Sequence, residues 1–224
     1  MEEAKAMAAR EAVKLVREGM ALGLGTGSTA ARFIEAVAAR EREEKLGLRC
    51  VATSLRSEEL ARRLGLRVVT LEEVEQIDLA VDGADQIDPH LNLLKGLGGG
   101  AVTREKVVDY LAKRFVVIAD ERKLVKRLDG VVAVEVIRFA AGAVARALRR
   151  MGASVDYRLN ERGERFVTDN GNFLLDARFG IIRNPAKLER EINAIPGVLE
   201  NGIFAGKTSL AIIGSEGGVR VLRR

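Results

Sequence analysis

Cysteine is almost missing from this chain: Cys50 stands alone among 224 residues, so no disulfide can form within it. The apolar run from Leu48 to Thr53 reads as a strand with the Cys50 thiol buried as a small hydrophobe. Tryptophan is absent, tyrosine occurs twice and aromatics total 4%. A platform for stacking bases is thus poorly supplied, which argues against nucleic acid as a partner. The single histidine, His90, follows Asp88-Pro89 as a loop residue, and a multi-histidine metal site within one chain is excluded. No uncharged apolar run reaches the roughly 18 residues that a membrane span requires. The opening Met-Glu-Glu has neither the basic segment nor the apolar segment of a secretory signal. A cytoplasmic protein with no membrane partner is the default expectation.

Apolar residues make up 47% and charged ones 31%, an ordinary globular composition. A net charge of +5 suits an anionic ligand without demanding a polyanion. Apolar spacing predicts helices over 4–18, from Ser28 to about 45, 57–64 and 102–113, with strands at 20–25, 48–53, 67–71, 77–82 and 115–120. These strands are apolar along their whole length and alternate with helices, as in a parallel sheet covered on both faces. The fold expected for the first half is therefore α/β: a doubly wound, mostly parallel, Rossmann-like sheet. Beyond Asp129-Gly130 the order becomes strand 131–137, helix 140–151, strand 154–159, strands near 165–168 and 172–178, helix 185–194 and strand 198–204. Asn170-Gly171 marks a hairpin turn. That order is a split-βαβ, ferredoxin-like α+β unit. A hairpin over 210–222 is expected to return to the first domain, giving domains 1–129 with 206–224, and 130–205.

Four motifs carry chemistry. Gly23-Leu-Gly-Thr-Gly-Ser-Thr29 joins a strand to a helix, where bare amides, a helix N-terminus and hydroxyls suit a phosphate. Its spacing is not that of a dinucleotide fingerprint, strand two ends in Thr53-Ser54 in place of an acid, and no Gly-Lys-Ser/Thr follows. Asp82-Gly-Ala-Asp85 follows an apolar strand, putting carboxylates in the crevice of an α/β fold, to handle hydroxyls and protons or to hold Mg²⁺. A turn with Asp side chains bonded to the local backbone is the plainer alternative. Lys95-Gly-Leu-Gly-Gly-Gly100 precedes Glu105 on a helix, offering amides and a cation to an oxyanion; Glu105 also suits a first helical turn for dipole reasons alone. Lys123, past the run Phe115–Ala119, is a second strand-end lysine in a chain where 27 of 37 basic residues are Arg. Surface ion pairing would account for it equally well.

In this order the motifs resemble ribose-5-phosphate isomerase of the A type. The resemblance covers nearly the whole chain, including Val134-Glu-Val-Ile137, Val167-Thr-Asp-Asn-Gly-Asn172 and Ile192-Asn-Ala-Ile-Pro-Gly197. It implies a sugar-phosphate substrate, no metal and no redox cofactor, and a homo-oligomer, dimer or tetramer. Glu105 falls on the family's general base, with Asp82, Asp85 and Lys95 as its catalytic companions. Substrate-binding positions fall on Thr26, Gly27, Ser28 and Thr29, on Asp82, Gly83, Ala84 and Asp85, on Lys95, Gly96, Leu97 and Gly98, and on Lys123. One departure is that Lys95 to Glu105 is a residue longer than the family's spacing, with Leu97 interrupting the glycines. A sugar-phosphate-sensing module would need a DNA-binding segment, which is not visible, and a CoA-transferase-like enzyme would use the glutamate as a nucleophile.

Overall fold

The computed structural model describes residues 1–224. In chain order its elements are α1 (Glu2–Val13), β1 (Ala21–Leu24), α2 (Ser28–Glu44), β2 (Arg49–Ala52), α3 (Leu55–Arg63), β3 (Ile77–Asp82), β4 (Gln86–Ile87), β5 (Leu93–Leu94), α4 (Val102–Leu111), β6 (Ala112–Asp120), β7 (Val132–Val136), α5 (Ala141–Arg150), β8 (Ser154–Tyr157), β9 (Phe173–Arg178), α6 (Pro185–Asn193), β10 (Val198–Asn201), β11 (Ile203–Phe204), β12 (Leu210–Ser215) and β13 (Gly218–Arg223). No helix is long and apolar enough to cross a membrane. Two compact units divide the chain: Met1–Ala84 with Arg104–Lys123 and Lys207–Arg224, and Asp85–Thr103 with Leu124–Gly206.

In the first unit six strands run in the order β13-β12-β6-β3-β1-β2, all neighbours parallel except the terminal β12–β13 hairpin. Leu22, Leu24, Leu79, Val81, Val116 and Ile118 point to one face and pack with Ala8 and Ala12 of α1 and Phe33 and Val37 of α2. Gly23 and Ala80 point to the other, where Val108 of α4 lies against them. The sheet is thus doubly wound, as its uninterrupted apolar strands foretell. Buried Cys50 sits in β2, its thiol pushed up to about 12 by desolvation, so it stays an inert hydrophobe.

The second unit holds an antiparallel sheet in the order β10-β7-β9-β8, the ferredoxin-like arrangement, with α5 and α6 on one face. Fully buried Glu135 of β7 accepts hydrogen bonds from the Thr168 hydroxyl at 2.8 Å and the Asn172 amide at 3.1 Å, pinning the 168–172 turn. A small third sheet, β11-β5-β4, was not foreseen. It explains why Asp85–Thr103 groups with the second unit and not, as expected, with the first: β4 and β5 pair with each other and with β11.

Two expected strands are reduced to bridges. At 67–71 only Val68 pairs, with Cys50, because Thr70 and Glu73 close a capping box that turns the chain into a 3-10 helix. Around 165–168 the pairing is limited to Leu159 with Arg165 and Val167 with Phe173. Helix α1 stops at Val13 where 4–18 was expected, its last amides reaching back three residues instead of four.

Small residues let α1 lie close to the sheet. A side chain at Gly214 of β12 would meet the Ala4 carbonyl oxygen at 1.9 Å, a backbone atom that cannot swing aside. Gly214→Ala is expected to destabilise the protein by about 2 kcal/mol or more, read from urea unfolding. An unchanged midpoint would show that α1 can move without cost.

Candidate active site

The parallel strands β1, β2, β3 and β6 all end at one edge of the first sheet. Gly25 follows β1 directly and needs to be glycine: a Cβ there would lie 2.3 Å from the Asp82 Cγ and 2.5 Å from its Cα. That closeness lets fully buried Asp82 accept the Thr26 amide at 2.9 Å and the Gly83 amide at 2.6 Å on a single oxygen, Oδ1. Gly27 then takes φ +105°, and α2 starts at Ser28 without any side-chain cap. An uncapped helix N-terminus beside a glycine turn is suited to an anion. Lys5 of α1 brings a cation to the same place, its Nζ donating to Ser28 Oγ at 3.0 Å and pairing with Glu2 at 2.9 Å.

Thr26 was expected to offer its hydroxyl to a phosphate. The hydroxyl instead turns inward, within 2.7 Å of Thr53 Oγ1 and 2.8 Å of Ser54 Oγ, while Ser57 donates to the Gly25 carbonyl. Its single proton is committed to this buried cluster, and its amide is committed to Asp82. Gly27, Ser28 and Thr29 stand at the start of α2, where the sequence placed them.

Helix α4 precedes the parallel strand β6, so its first turn lies at the same carboxyl edge, on the face opposite α1 and α2. Glu105 occupies that turn and is 4% exposed, far more buried than a dipole-complementing surface acid needs to be. Lys106 and Asp109 of α4 are also buried, and the Lys106 and Lys207 ammonium groups both face the Tyr110 ring, at 5.3 Å and 5.4 Å. Beyond β6, Asp120 is clasped by Arg122 at 2.7 Å, which holds its carboxyl below the usual carboxylate range. Half-buried Lys123 ends the 3-10 turn that follows, close to the strand end as expected. Gly83 and Ala84 continue the chain from Asp82.

The remaining motif residues belong to the second unit. Asp85 donates its amide to the Leu94 carbonyl at 2.8 Å and accepts the Leu97 amide on Oδ2 at 2.9 Å. Lys95 is 2% exposed, its amide held by the Gly202 carbonyl at 2.9 Å and its Nζ 5.4 Å from the Phe204 ring centroid. Gly96 adopts φ +102°, where a Cβ would strike Val102 and Ala133. Leu97 and Gly98 are exposed, and since Asp85 takes the Leu97 amide, that amide is not open to an oxyanion as the motif had suggested. No three His, Cys, Asp or Glu side chains gather to hold a metal ion.

Motif reading passed over Lys5, Ser57, Lys106 and Asp109. Lys5 lies 23 residues before Ser28, and only its place on the buried side of α1 brings it near. The pair Lys106 and Asp109 looks like any charged helix face until burial is known.

The family model for ribose 5-phosphate isomerase A (phosphoriboisomerase A) matches residues 49–218. A ribose-5-phosphate isomerase A of Methanothermobacter thermautotrophicus is 50% identical, with 98% of this chain and 97% of the relative covered. The solved ribose 5-phosphate isomerase A of Methanocaldococcus jannaschii superposes with a TM-score of 0.95 at 46% identity, covering 100% of this chain and 99% of the other. A D-ribose-5-phosphate isomerase solved in complex with phospho-erythronic acid gives a TM-score of 0.96 at 42% identity, over 100% and 99% of the chains.

The Asp120–Arg122 pair makes a pH-dependent prediction. Because the folded state depresses the Asp120 carboxyl, its stabilisation is complete above the ordinary carboxylate value of about 4 and is lost as pH falls through the lower folded value. Arg122→Ala should therefore lower the melting temperature at neutral pH, with the deficit closing in strong acid. An equal deficit at both ends would assign the loss to packing.

Proposed function

Because the chain belongs to the ribose 5-phosphate isomerase A family, we propose that it interconverts D-ribose 5-phosphate and D-ribulose 5-phosphate through an enediolate, in the non-oxidative pentose phosphate pathway. The observation that carries this reading is a buried carboxylate, Glu105, at the same sheet edge as a glycine turn shaped for phosphate.

The reaction moves a proton between neighbouring carbons and involves no net redox change. One carboxylate suffices for that, as the glutamate of triosephosphate isomerase illustrates. Glu105 takes the C2 proton of the open-chain sugar and returns it to C1. The phosphate rests on the amides of Gly27 to Thr29 and the Ser28 and Thr29 hydroxyls, with Lys5 and Lys123 supplying charge. Asp82, anchored on Oδ1 by two amides, orients sugar hydroxyls and assists proton movement between oxygens. The roles of Asp85, Lys95 and Gly96 to Gly98 rest on the order of the motifs along the chain: Lys95 with glycine amides stabilises the enediolate oxygen, and Asp85 assists at the hydroxyls.

A cytoplasmic location follows from the substrate, since a phosphate ester dianion does not cross bilayers unaided. For a homo-oligomer, dimer or tetramer, the support is Phe139, 99% exposed, with Ile137 41% exposed two residues away. Sedimentation equilibrium should give a whole-number multiple of 24.3 kDa above one, and a monomer at assay concentration would remove that part of the reading.

Glu105→Gln keeps the shape and removes the base. Its kcat should fall by roughly 10³-fold, the scale of a lost general base, while phospho-erythronic acid still binds within a few-fold of the parent. Near-normal turnover would assign the proton transfer to another group.

A further inference from the structure

The β4–β5 loop (Asp88 to Asn92), the pair Lys126-Arg127 and the entry to α6 (Ile182, Arg183 and Pro185) enclose a cleft of about 400 Å³ within the second unit. None of its residues belongs to the set assigned to the isomerase reaction. Three permanent cations, Lys126, Arg127 and Arg183, line it, and no ion pair engages any of them. Three arginines elsewhere show the contrasting arrangement, Arg62 pairing with Glu58, Arg40 with Glu44 and Arg178 with Asp156. Cations that share the rim of one concavity repel one another, and an anion would relieve that repulsion.

One carboxylate lines the cleft, and it is already engaged. Asp88, 7% exposed, accepts the His90 amide at 2.8 Å and the Asn92 amide at 2.9 Å on Oδ1, and the Asn92 side-chain amide at 2.9 Å on Oδ2. It shapes the loop and faces its own backbone. The walls are fixed by main-chain bonds: the Val125 amide to the Ile87 carbonyl at 2.9 Å, the Ile182 amide to the Leu128 carbonyl at 2.8 Å. Buried Leu91 is held in the left-handed region at φ +57°, a conformation that survives only in a well-determined loop. These cations therefore sit on a preformed frame.

We propose that this cleft binds a small anion bearing a diphosphate group. A single phosphate monoester carries roughly −1.5 to −2, too little to match three fixed cations, whereas two linked phosphates carry roughly −3. Arginine forks grip phosphate oxygens in pairs, and the positive end of α6, which begins at Pro185, adds to the attraction. Pro89, Ile182 and Pro185 give one apolar side, and the volume lies at the small end of the roughly 300–1,000 Å³ of metabolite sites.

Isothermal titration of the full chain tests this with two probes, inorganic pyrophosphate and ADP. At low salt the parent should bind pyrophosphate, and Lys123→Ala, which weakens the proposed reaction site, should bind it equally well. Arg127→Ala and Arg183→Ala should each weaken binding by roughly tenfold, with the Arg→Lys versions falling between, while turnover of ribose 5-phosphate stays at the parent level. Tighter binding of ADP would identify an organic diphosphate as the occupant, and binding no tighter than that of pyrophosphate the inorganic ion. The proposal fails if neither probe binds at millimolar concentration, if both arginine variants bind undiminished, or if binding is lost in Lys123→Ala alone.

Discussion

Asp82 takes two backbone amides on one buried oxygen, from Thr26 at the end of β1 and from Gly83 at the end of its own strand. This joint sets the direction in which the chain leaves two neighbouring parallel strands. The β1 turn can approach so near only because Gly25 has no side chain to place where the Asp82 carboxyl group lies. Once the turn is fixed, Gly27 adopts its left-handed φ and α2 begins with its amides at the sheet edge. A carboxylate with amide donors on one oxygen is already oriented, so little reorganisation remains when a polar ligand arrives.

Electrostatics at this edge are arranged by distance from the chain's own acids. Lys5 balances Glu2 while reaching Ser28, and Asp120 is neutralised chiefly by Arg122, with the neighbouring Lys123 adding a weaker attraction. Burying Glu105 carries a cost of its own. A carboxylate stripped of water is costly unless polar neighbours compensate it, as hydroxyl and amide donors do for Glu135.

Much of this was legible in the sequence because the signals are local. Uninterrupted apolar strands alternating with helices announce a doubly wound sheet, and the glycine turn, Asp82 and Glu105 each stand at a strand or helix end that periodicity locates. What was hidden depends on residues far apart in the chain. The three-stranded sheet joins Gln86–Ile87 and Leu93–Leu94 to Ile203–Phe204, pieces of two residues each that carry no periodic pattern. Thr26 looked like a ligand hydroxyl because its partners Thr53, Ser54 and Ser57 follow the next strand, and nothing in the turn itself reveals which way the hydroxyl points. The run Val167–Asn172 was recognisable as a motif, yet its reason is Glu135 on β7, whose carboxylate gathers the turn's hydroxyl and amide donors.

Packing and exposure around Leu97 show where the glycine loop is constrained and where it is not. Gly96 and Gly100 both take left-handed φ, and a Cβ on either would strike packed side chains, Val102 and Ala133 at one end, Phe166 and Leu174 at the other. Those two glycines anchor the loop to the second unit's core. Between them Leu97 is 48% exposed, and a Cβ on Gly98 would meet nothing within 4 Å. An added residue can thus be absorbed in the middle without moving either anchor. Asp85 then limits the slack by holding the Leu97 amide at 2.9 Å, so the loop keeps a defined course despite its length. The position of Lys95 is set at the first anchor, because the Gly202 carbonyl holds its amide one residue before Gly96.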